Sequence, residues 1–241
     1  MGAVFINCAA VIVGSLIGVL LSRRMTEAYT DAVQTAAGVV SMVLGMQMAF
    51  SYENVVYLAL SLLAGGLLGT WWNIDGAVMQ LGSFLERLVY RKKQSPERQD
   101  DRAFAAAFLN ASVLFCVGAM AIIGSFKAAI EHDYTIISTK SVLDGFMALT
   151  FSAAMGIGTA FSALVILVYQ GALTLLAIAV QPFVSETLIH ELTGVGGVLI
   201  ILIGINLAKV RHIKTANFLP AMLVMVVLVC TESFFKARLS L

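Results

Sequence analysis

Charged residues, proline and cysteine are all scarce in this chain of 241 residues. Aspartate, glutamate, lysine and arginine together make up 12% of it, and there are three prolines and three cysteines. So small a charged fraction excludes the solvated surface of an ordinary soluble domain. Cys8, Cys116 and Cys230 each stand alone in an apolar run with no CxxC pair, which argues against a disulfide framework or a zinc site.

Signals for metal binding, nucleic-acid binding and catalysis are also missing. His132, His190 and His212 fall in three separate polar connections, where we expect solvated side chains and no metal-ligand cluster. The net charge of +1 provides no basic face for nucleic acid. Because no GxSxG, HExxH or paired membrane aspartate motif occurs, we expect neither an enzyme nor a bound cofactor.

Apolar residues make up 60% of the chain, and its mean hydropathy is +0.93. A helix needs about 20 apolar residues to cross a hydrocarbon core roughly 30 Å thick, and such runs recur throughout. We therefore predict an all-α polytopic membrane protein with about eight transmembrane helices in a single domain, residues 1–241. The predicted spans are residues 3–21, 34–50, 54–72, 103–124, 142–158, 161–180, 193–209 and 217–235.

Residues 73–102, between the third and fourth spans, form an amphipathic segment followed by a polar linker. Its apolar residues recur at helical spacing, and the segment then becomes basic around residues 91–93. This pattern predicts a helix on the membrane surface, with Trp71 and Trp72 in the headgroup layer. Eleven of the fifteen lysines and arginines fall on the side of this segment. The positive-inside rule therefore predicts a bacterial inner-membrane protein with this segment cytoplasmic and both termini outside.

The first and last thirds of the chain resemble each other. A shift of 159 residues aligns Gly38-Val39 with Gly197-Val198, Gly45 with Gly204, Gln47 with Asn206 and Ala49 with Ala208. Residues 1–72 and 159–241 would then be two repeats on either side of the surface segment and the central helices, residues 103–158. Five crossings separate the copies and their loop charges are opposite, which predicts an inverted-topology repeat of spans 1–3 and 6–8. A transporter, a channel or a symmetric scaffold could have this architecture.

Polar side chains inside the predicted spans are the candidate functional groups. An unpaired amide is costly in lipid, so each is expected to fasten helices together or to line a path. Asp144 is the acidic residue that falls clearly inside a predicted span, with Lys140 one helical turn before it. The pair either carries a proton or cation or forms an ion pair near the outer end of span five. The predicted substrate-binding residues are Asp144, Asn7, Asn110, Ser112, Gln170, Asn206 and Lys140.

Glycines four apart occur twice, at Gly14 with Gly18 and at Gly65 with Gly69. This spacing allows helix backbones to approach closely where lipid gives no hydrophobic drive for association. Packing within the chain is the main interpretation. Close glycine-rich packing in so small a protein also predicts a homodimer.

Several motifs together carry a family resemblance. They are Asn7 with Gly14 and Gly18, residues 111–122, residues 140–145, Tyr169-Gln170-Gly171, Gly196-Gly197, Gly204 with Asn206, and Asn217 with Pro220. The chain thereby resembles the YqgA/YdfK-like bacterial inner-membrane family, a domain of unknown function, over nearly its entire length. The resemblance implies a multi-pass bacterial membrane protein and directs attention to residues 110–120 and 140–144.

Two functions are compatible with these features. We predict a small transporter or channel-like permease for an ion or small polar solute, with the lipid bilayer as its surroundings. The alternative is a non-transporting membrane scaffold or partner-binding protein, in which the same polar residues only hold helices together.

Overall fold

A computed structural model describes residues 1–23, 25–78, 80, 84, 98–116, 119–180 and 184–239. All regular structure in these residues is helical. The helices are α1 (Gly2–Ser22), α2 (Glu27–Ala49), α3 (Val55–Trp71), α4 (Arg98–Cys116), α5 (Ala119–Phe126), α6 (Thr135–Met155), α7 (Gly158–Leu175), α8 (Ala177–Val180), α9 (Glu186–Leu207) and α10 (Pro220–Leu239). A π-helical turn, Lys127–Glu131, follows α5, and a 3-10 helix, Thr215–Phe218, precedes α10. The all-α prediction is confirmed for this part of the chain.

Five described helices are long and apolar enough to cross a bilayer: α1, α2, α7, α9 and the stretch Thr215–Glu232. A sixth crossing results if Ala103–Cys116 and Met120–Glu131, which are inclined at 57° to each other, form one bent span. The helix α3 is apolar but has only 17 residues. The helix α6 has 21 residues but contains Lys140 and Asp144. Five or six of the eight predicted crossings thus meet the length and apolarity that a span requires, and eight stays a prediction.

Three helices begin well before the apolar runs that predicted them. The helices α2, α6 and α9 begin at Glu27, Thr135 and Glu186, seven residues ahead of the predicted starts at 34, 142 and 193. Polar residues in the first two turns continue each helix. The prediction that His190 lies in a polar connection is therefore wrong, because His190 is in the second turn of α9.

A serine side chain caps α9, and an aspartate side chain accepts the first N–H of α6. The Oγ of Ser185 accepts the Leu188 N–H at 3.1 Å, which satisfies one of the unpaired donors of the first turn of α9. Before α6, Asp133 Oδ1 accepts the Thr135 N–H at 2.9 Å. Hydrogen bonds from the hydroxyl and the backbone of Thr135 lower the pKa of Asp133.

Glycines bring α1 and α6 into backbone contact. A Cβ at Gly14 would lie 2.2 Å from the carbonyl oxygen of Gly145, and one at Gly18 would lie 2.2 Å from that of Leu149. The residue numbers of the contacts rise together, so the two helices run parallel. The Ser152 hydroxyl donates to a carbonyl of α1 at 2.8 Å and ties the two helices together.

The other GxxxG pair is also used within the chain. A Cβ at Gly65 would meet Ala221 at 2.3 Å, and one at Gly69 would meet the Asn217 carbonyl oxygen at 1.9 Å. These contacts pack α3 antiparallel to the start of α10, as expected for small residues between membrane helices. Since both GxxxG pairs face neighbouring helices of the same chain, the homodimer prediction loses this part of its basis and stays a prediction.

Large apolar side chains cover the outside of the bundle. Phe5, Leu67, Val168 and Phe146 are among more than thirty large hydrophobic residues that are exposed. A surface this apolar is suited to lipid contact. Of the predicted surface segment, residues 74–78 are helical, and most of residues 79–97 lie outside the described residues.

The close contact between α1 and α6 can be tested with Gly18→Ala. The added Cβ would force the helices apart, and we expect overpacking to cost about 1–3 kcal/mol. Gly171→Ala is the matched control, because its Cβ would lie at an ordinary 3.7 Å from Met1. Thermal unfolding in detergent should occur at a lower temperature for Gly18→Ala and at no lower a temperature for Gly171→Ala. Equal stability of the two variants would contradict the packing.

Candidate functional site

Four polar side chains from three helices meet in the interior of the bundle. The Asn7 Nδ2 donates to Asp144 Oδ2 and to Gln170 Oε1, each at 3.1 Å. The Lys140 ammonium also donates to Asp144 Oδ2. We call Asn7 of α1, Lys140 and Asp144 of α6, and Gln170 of α7 the buried polar cluster.

The cluster is almost completely removed from solvent. Asn7 and Gln170 are 0% exposed, and the side chains of Lys140 and Asp144 are 6% and 10% exposed. The apolar residues packed around it are buried as well; they include Val4, Val11, Phe115, Ile137 and Ile166. An ion pair in such surroundings must overcome a desolvation penalty of several kcal/mol per charge. The Lys140–Asp144 pair is thus buried inside the bundle, and its depth in the membrane stays a prediction.

Helical spacing and close packing bring the cluster together. Asn7 lies on the buried face of α1 with Val4 and Val11, three residues before it and four after it. The Cys8 thiol donates to the Ala163 carbonyl at 3.4 Å and fixes α1 against α7. Gln170 lies seven residues after Ala163 on the inner face of α7. Each amide therefore points to the line where α1, α6 and α7 meet.

Two polar atoms of the cluster have no partner within the described residues. Asn7 Oδ1 and Gln170 Nε2 are both buried. In the part of the chain that the structure describes, Asn7 Oδ1 accepts no hydrogen bond and Gln170 Nε2 donates none. Both of the side-chain bonds to Asp144 described above reach Oδ2. Buried polar atoms are paired in most proteins, because each unsatisfied group costs about 1–3 kcal/mol. The cluster therefore has unused capacity to bind a polar guest.

The remaining predicted site residues lie elsewhere. The Asn110 Nδ2 is 3.7 Å from Met155 Sδ, and the Ser112 hydroxyl donates to the Phe108 carbonyl at 2.6 Å within α4. Asn206 holds the loop after α9, where it exchanges hydrogen bonds with the Ile213 backbone at 2.7 and 2.8 Å. The structure thus brings together four of the seven predicted residues.

Glu191 is a buried acid that the sequence analysis missed. It is 0% exposed, and its Oε1 accepts the N–H groups of Asn54 at 2.7 Å and Glu53 at 3.2 Å. These donors precede α3, so a carboxylate there stabilises the start of that helix. Oε2 has no partner within the described residues. The capping residue Ser185 is the signal that would have placed Glu191 inside a helix.

A histidine–carboxylate contact and a salt bridge join the helix ends around α2 and α9. His190 Nδ1 and Glu53 Oε1 are 2.9 Å apart, and Lys209 Nζ lies 2.6 Å from Asp31 Oδ1. All four side chains are about half exposed. A surface cavity of about 380 Å³ lies beside the second pair and is lined by Ala28, Thr30, Asp31, Gln34 and Lys209.

Comparison with known proteins finds one family and two similar chains. The family described as "Protein of unknown function (DUF554)" matches residues 2–230. The "Uncharacterized membrane protein YdfK" of Bacillus subtilis (strain 168) is 30% identical over 241 residues, covering 98% of this chain and 99% of the relative. The "Uncharacterized protein YqgA" of Escherichia coli (strain K12) is 26% identical over 219 residues, covering 91% and 92%. No solved structure matches.

The buried ion pair can be tested by removing one charge or both. Lys140→Met leaves the Asp144 carboxylate buried without a counter-ion, and we expect a loss of about 3–5 kcal/mol of stability. Lys140→Met combined with Asp144→Leu should recover most of this loss. Lys209→Met, which breaks the exposed pair with Asp31, should cost under about 1 kcal/mol. Unfolding in detergent measures all three, and a double variant no more stable than Lys140→Met would contradict the burial of the pair.

Proposed function

We propose that this chain, which belongs to the DUF554 family of unknown function, is a small transporter or channel-like permease for an ion or small polar solute. The family match confirms the resemblance found in the sequence motifs. Like the Bacillus subtilis relative, which is described as a membrane protein, this chain is a membrane protein. The proposal is for a non-enzymatic protein whose substrate passes by the buried polar cluster.

The buried polar cluster is the observation that carries the proposal. Ionisable groups inside a membrane protein are expensive and are retained where they move or bind charge. Helix association alone would favour a fully paired network, because unpaired buried atoms weaken the fold. In this cluster the amide atoms Asn7 Oδ1 and Gln170 Nε2 are unpaired. A passing polar solute would supply the missing partners.

The packing of α2 against α9 supports the inverted-repeat part of the proposal. A Cβ at Gly38 would lie 2.6 Å from the Ala208 nitrogen, and one at Gly197 would lie 2.2 Å from the Ala49 nitrogen. The shift of 159 residues aligns Gly38 with Gly197 and Ala49 with Ala208. It therefore converts each of these two contacts into the other. Reciprocal contacts of this kind are expected between elements related by a two-fold axis. Inverted repeats allow a transporter to open alternately to either side.

The side-chain contacts at the ends of α2 and α9 fit the same symmetry. Asp31 in the second turn of α2 corresponds to His190 in the second turn of α9 under that shift. Each is paired with a residue just beyond the end of the opposite helix, Lys209 and Glu53 respectively. We propose that these contacts close the two ends of the transporter in turn.

The location and assembly of the protein belong to the same proposal. A bacterial inner membrane, eight crossings and both termini outside follow from the apolar runs and the distribution of lysine and arginine. Eight crossings require α3 and α6 to span the membrane as well. A homodimer would give a path more helices to enclose it.

Flux through the purified protein in liposomes tests the function. Solutes and ions are screened with the native chain, Asp144→Asn and Asn110→Ala. Asp144→Asn removes the only carboxylate of the cluster, so we expect flux to fall at least about tenfold, since the lost contact is buried and charged. Asn110→Ala is the control, because this amide lies outside the cluster. Equal flux in native protein and folded Asp144→Asn would contradict a path through the cluster.

A scaffold or partner-binding function is the second candidate. The observation that favours it is Asn206, a polar residue of α9 whose hydrogen bonds to Ile213 and Thr215 hold a loop. If the buried polar cluster has the same purpose, no solute should cross the liposomes with any variant.

A further inference from the structure

The ion pair between Lys140 and Asp144 does not itself join two helices, because both residues lie on α6, four apart. Replacing a buried ion pair by apolar residues usually leaves a protein as stable or more stable. Among the contacts of the described residues, the Asn7 amide donates the hydrogen bond that connects the pair to another helix. The ammonium of Lys140 therefore serves to neutralise Asp144, a task that any cation in the same position could perform.

The atoms around Asp144 are a set of hard oxygen ligands. Besides the two oxygens of its carboxylate, the cluster offers Asn7 Oδ1, which has no partner, and Gln170 Oε1. In this structure the Asn7 Nδ2 faces Asp144 Oδ2 and Gln170 Oε1. Rotation of the Asn7 amide about its Cβ–Cγ bond exchanges Nδ2 and Oδ1, and oxygens from α1, α6 and α7 could then surround a small ion from three directions. Carboxylate and amide oxygens bind alkali and alkaline-earth cations in preference to softer metals.

The charge of the cluster selects a monovalent ion. Asp144 is its single carboxylate, so a bound ion of charge +1 would be neutralised and a divalent ion would leave one positive charge in an apolar environment. No group of three or more His, Cys, Asp and Glu side chains that could hold a metal occurs in the described residues. A transition-metal or calcium site therefore does not fit.

We propose that the buried polar cluster binds a dehydrated monovalent metal cation at the Asp144 carboxylate, in place of the Lys140 ammonium as its counter-ion. This inference rests on the proposed function and names the ion that the path would carry or use for coupling. Lys140 is the sixth residue of α6, which begins at Thr135. Its flexible stem allows the ammonium to move toward that end of the helix, so the cluster keeps the same net charge with either cation.

Thermal unfolding of Lys140→Ala at a single pH provides the test. Its stability is compared in sodium, lithium and potassium chloride and in choline chloride at equal ionic strength. With the tethered ammonium gone, Asp144 should take a cation from solution. We expect the unfolding temperature to rise by about 5–10 °C at a concentration roughly 100 times Kd of the best alkali cation. The control is the double variant Lys140→Ala with Asp144→Asn. Its unfolding temperature should be the same in all four salts.

A binding measurement keeps the inference testable if Lys140→Ala does not fold. Equilibrium binding of radioactive sodium to the native protein and to Gln170→Leu then replaces unfolding. Loss of one ligand oxygen should weaken binding about tenfold or more. Identical unfolding of folded Lys140→Ala in all four salts, or no sodium binding by the native protein, would overturn the inference.

The same salts separate this inference from the proposed function. If Asp144-dependent flux of a solute persists in choline and no alkali cation stabilises Lys140→Ala, the transporter stands and the cation site is overturned. If alkali cations stabilise Lys140→Ala but nothing crosses the liposomes, the cation site stands and the transporter fails.

Discussion

Backbone contact between α1 and α6 is the constraint on which the candidate site depends. At Gly14 and Gly18 a single methyl group would collide with the facing carbonyl oxygens, so only hydrogen atoms fit between the helices. This approach sets Asn7 against Asp144, although the two residues are 137 positions apart in the chain. Lipid provides no hydrophobic drive for such contact, and close packing must supply it. The hydrogen bond between Asn7 and Asp144 in the buried polar cluster thus depends on the two glycines of α1.

The parts of the site that the sequence could predict are those that depend on a single helix. The spacing of Lys140 and Asp144 predicts neighbours one helical turn apart, and the structure pairs them. Asn7 and Gln170 could be named as polar groups in apolar runs. Their meeting could not be predicted, because it depends on how α1, α6 and α7 turn toward one another.

Helix ends and buried capping contacts were the least predictable features. An apolar run does not reveal where a helix starts when polar residues continue it, as they do from Glu186 to Glu191 in α9. Glu191 consequently went unnoticed although it is fully buried. Asn206 illustrates the converse, since its polar side chain near the end of α9 serves a loop that only tertiary structure defines. A polar residue in an apolar run therefore marks a position that requires a hydrogen-bond partner. The identity of that partner decides whether the residue stabilises a helix start, a loop or a binding site.

Access of solvent reagents to the buried polar cluster is the most direct test of the account. Gln170→Cys is introduced after Cys8, Cys116 and Cys230 are replaced, and membrane-impermeant thiol reagents are applied from each side of sealed vesicles. Gln170 is 0% exposed in the structure, so reaction requires an opening to reach it. The account predicts labelling from both sides of the membrane in the folded protein. A folded variant that reacts from neither side would contradict a path through the cluster and favour the scaffold.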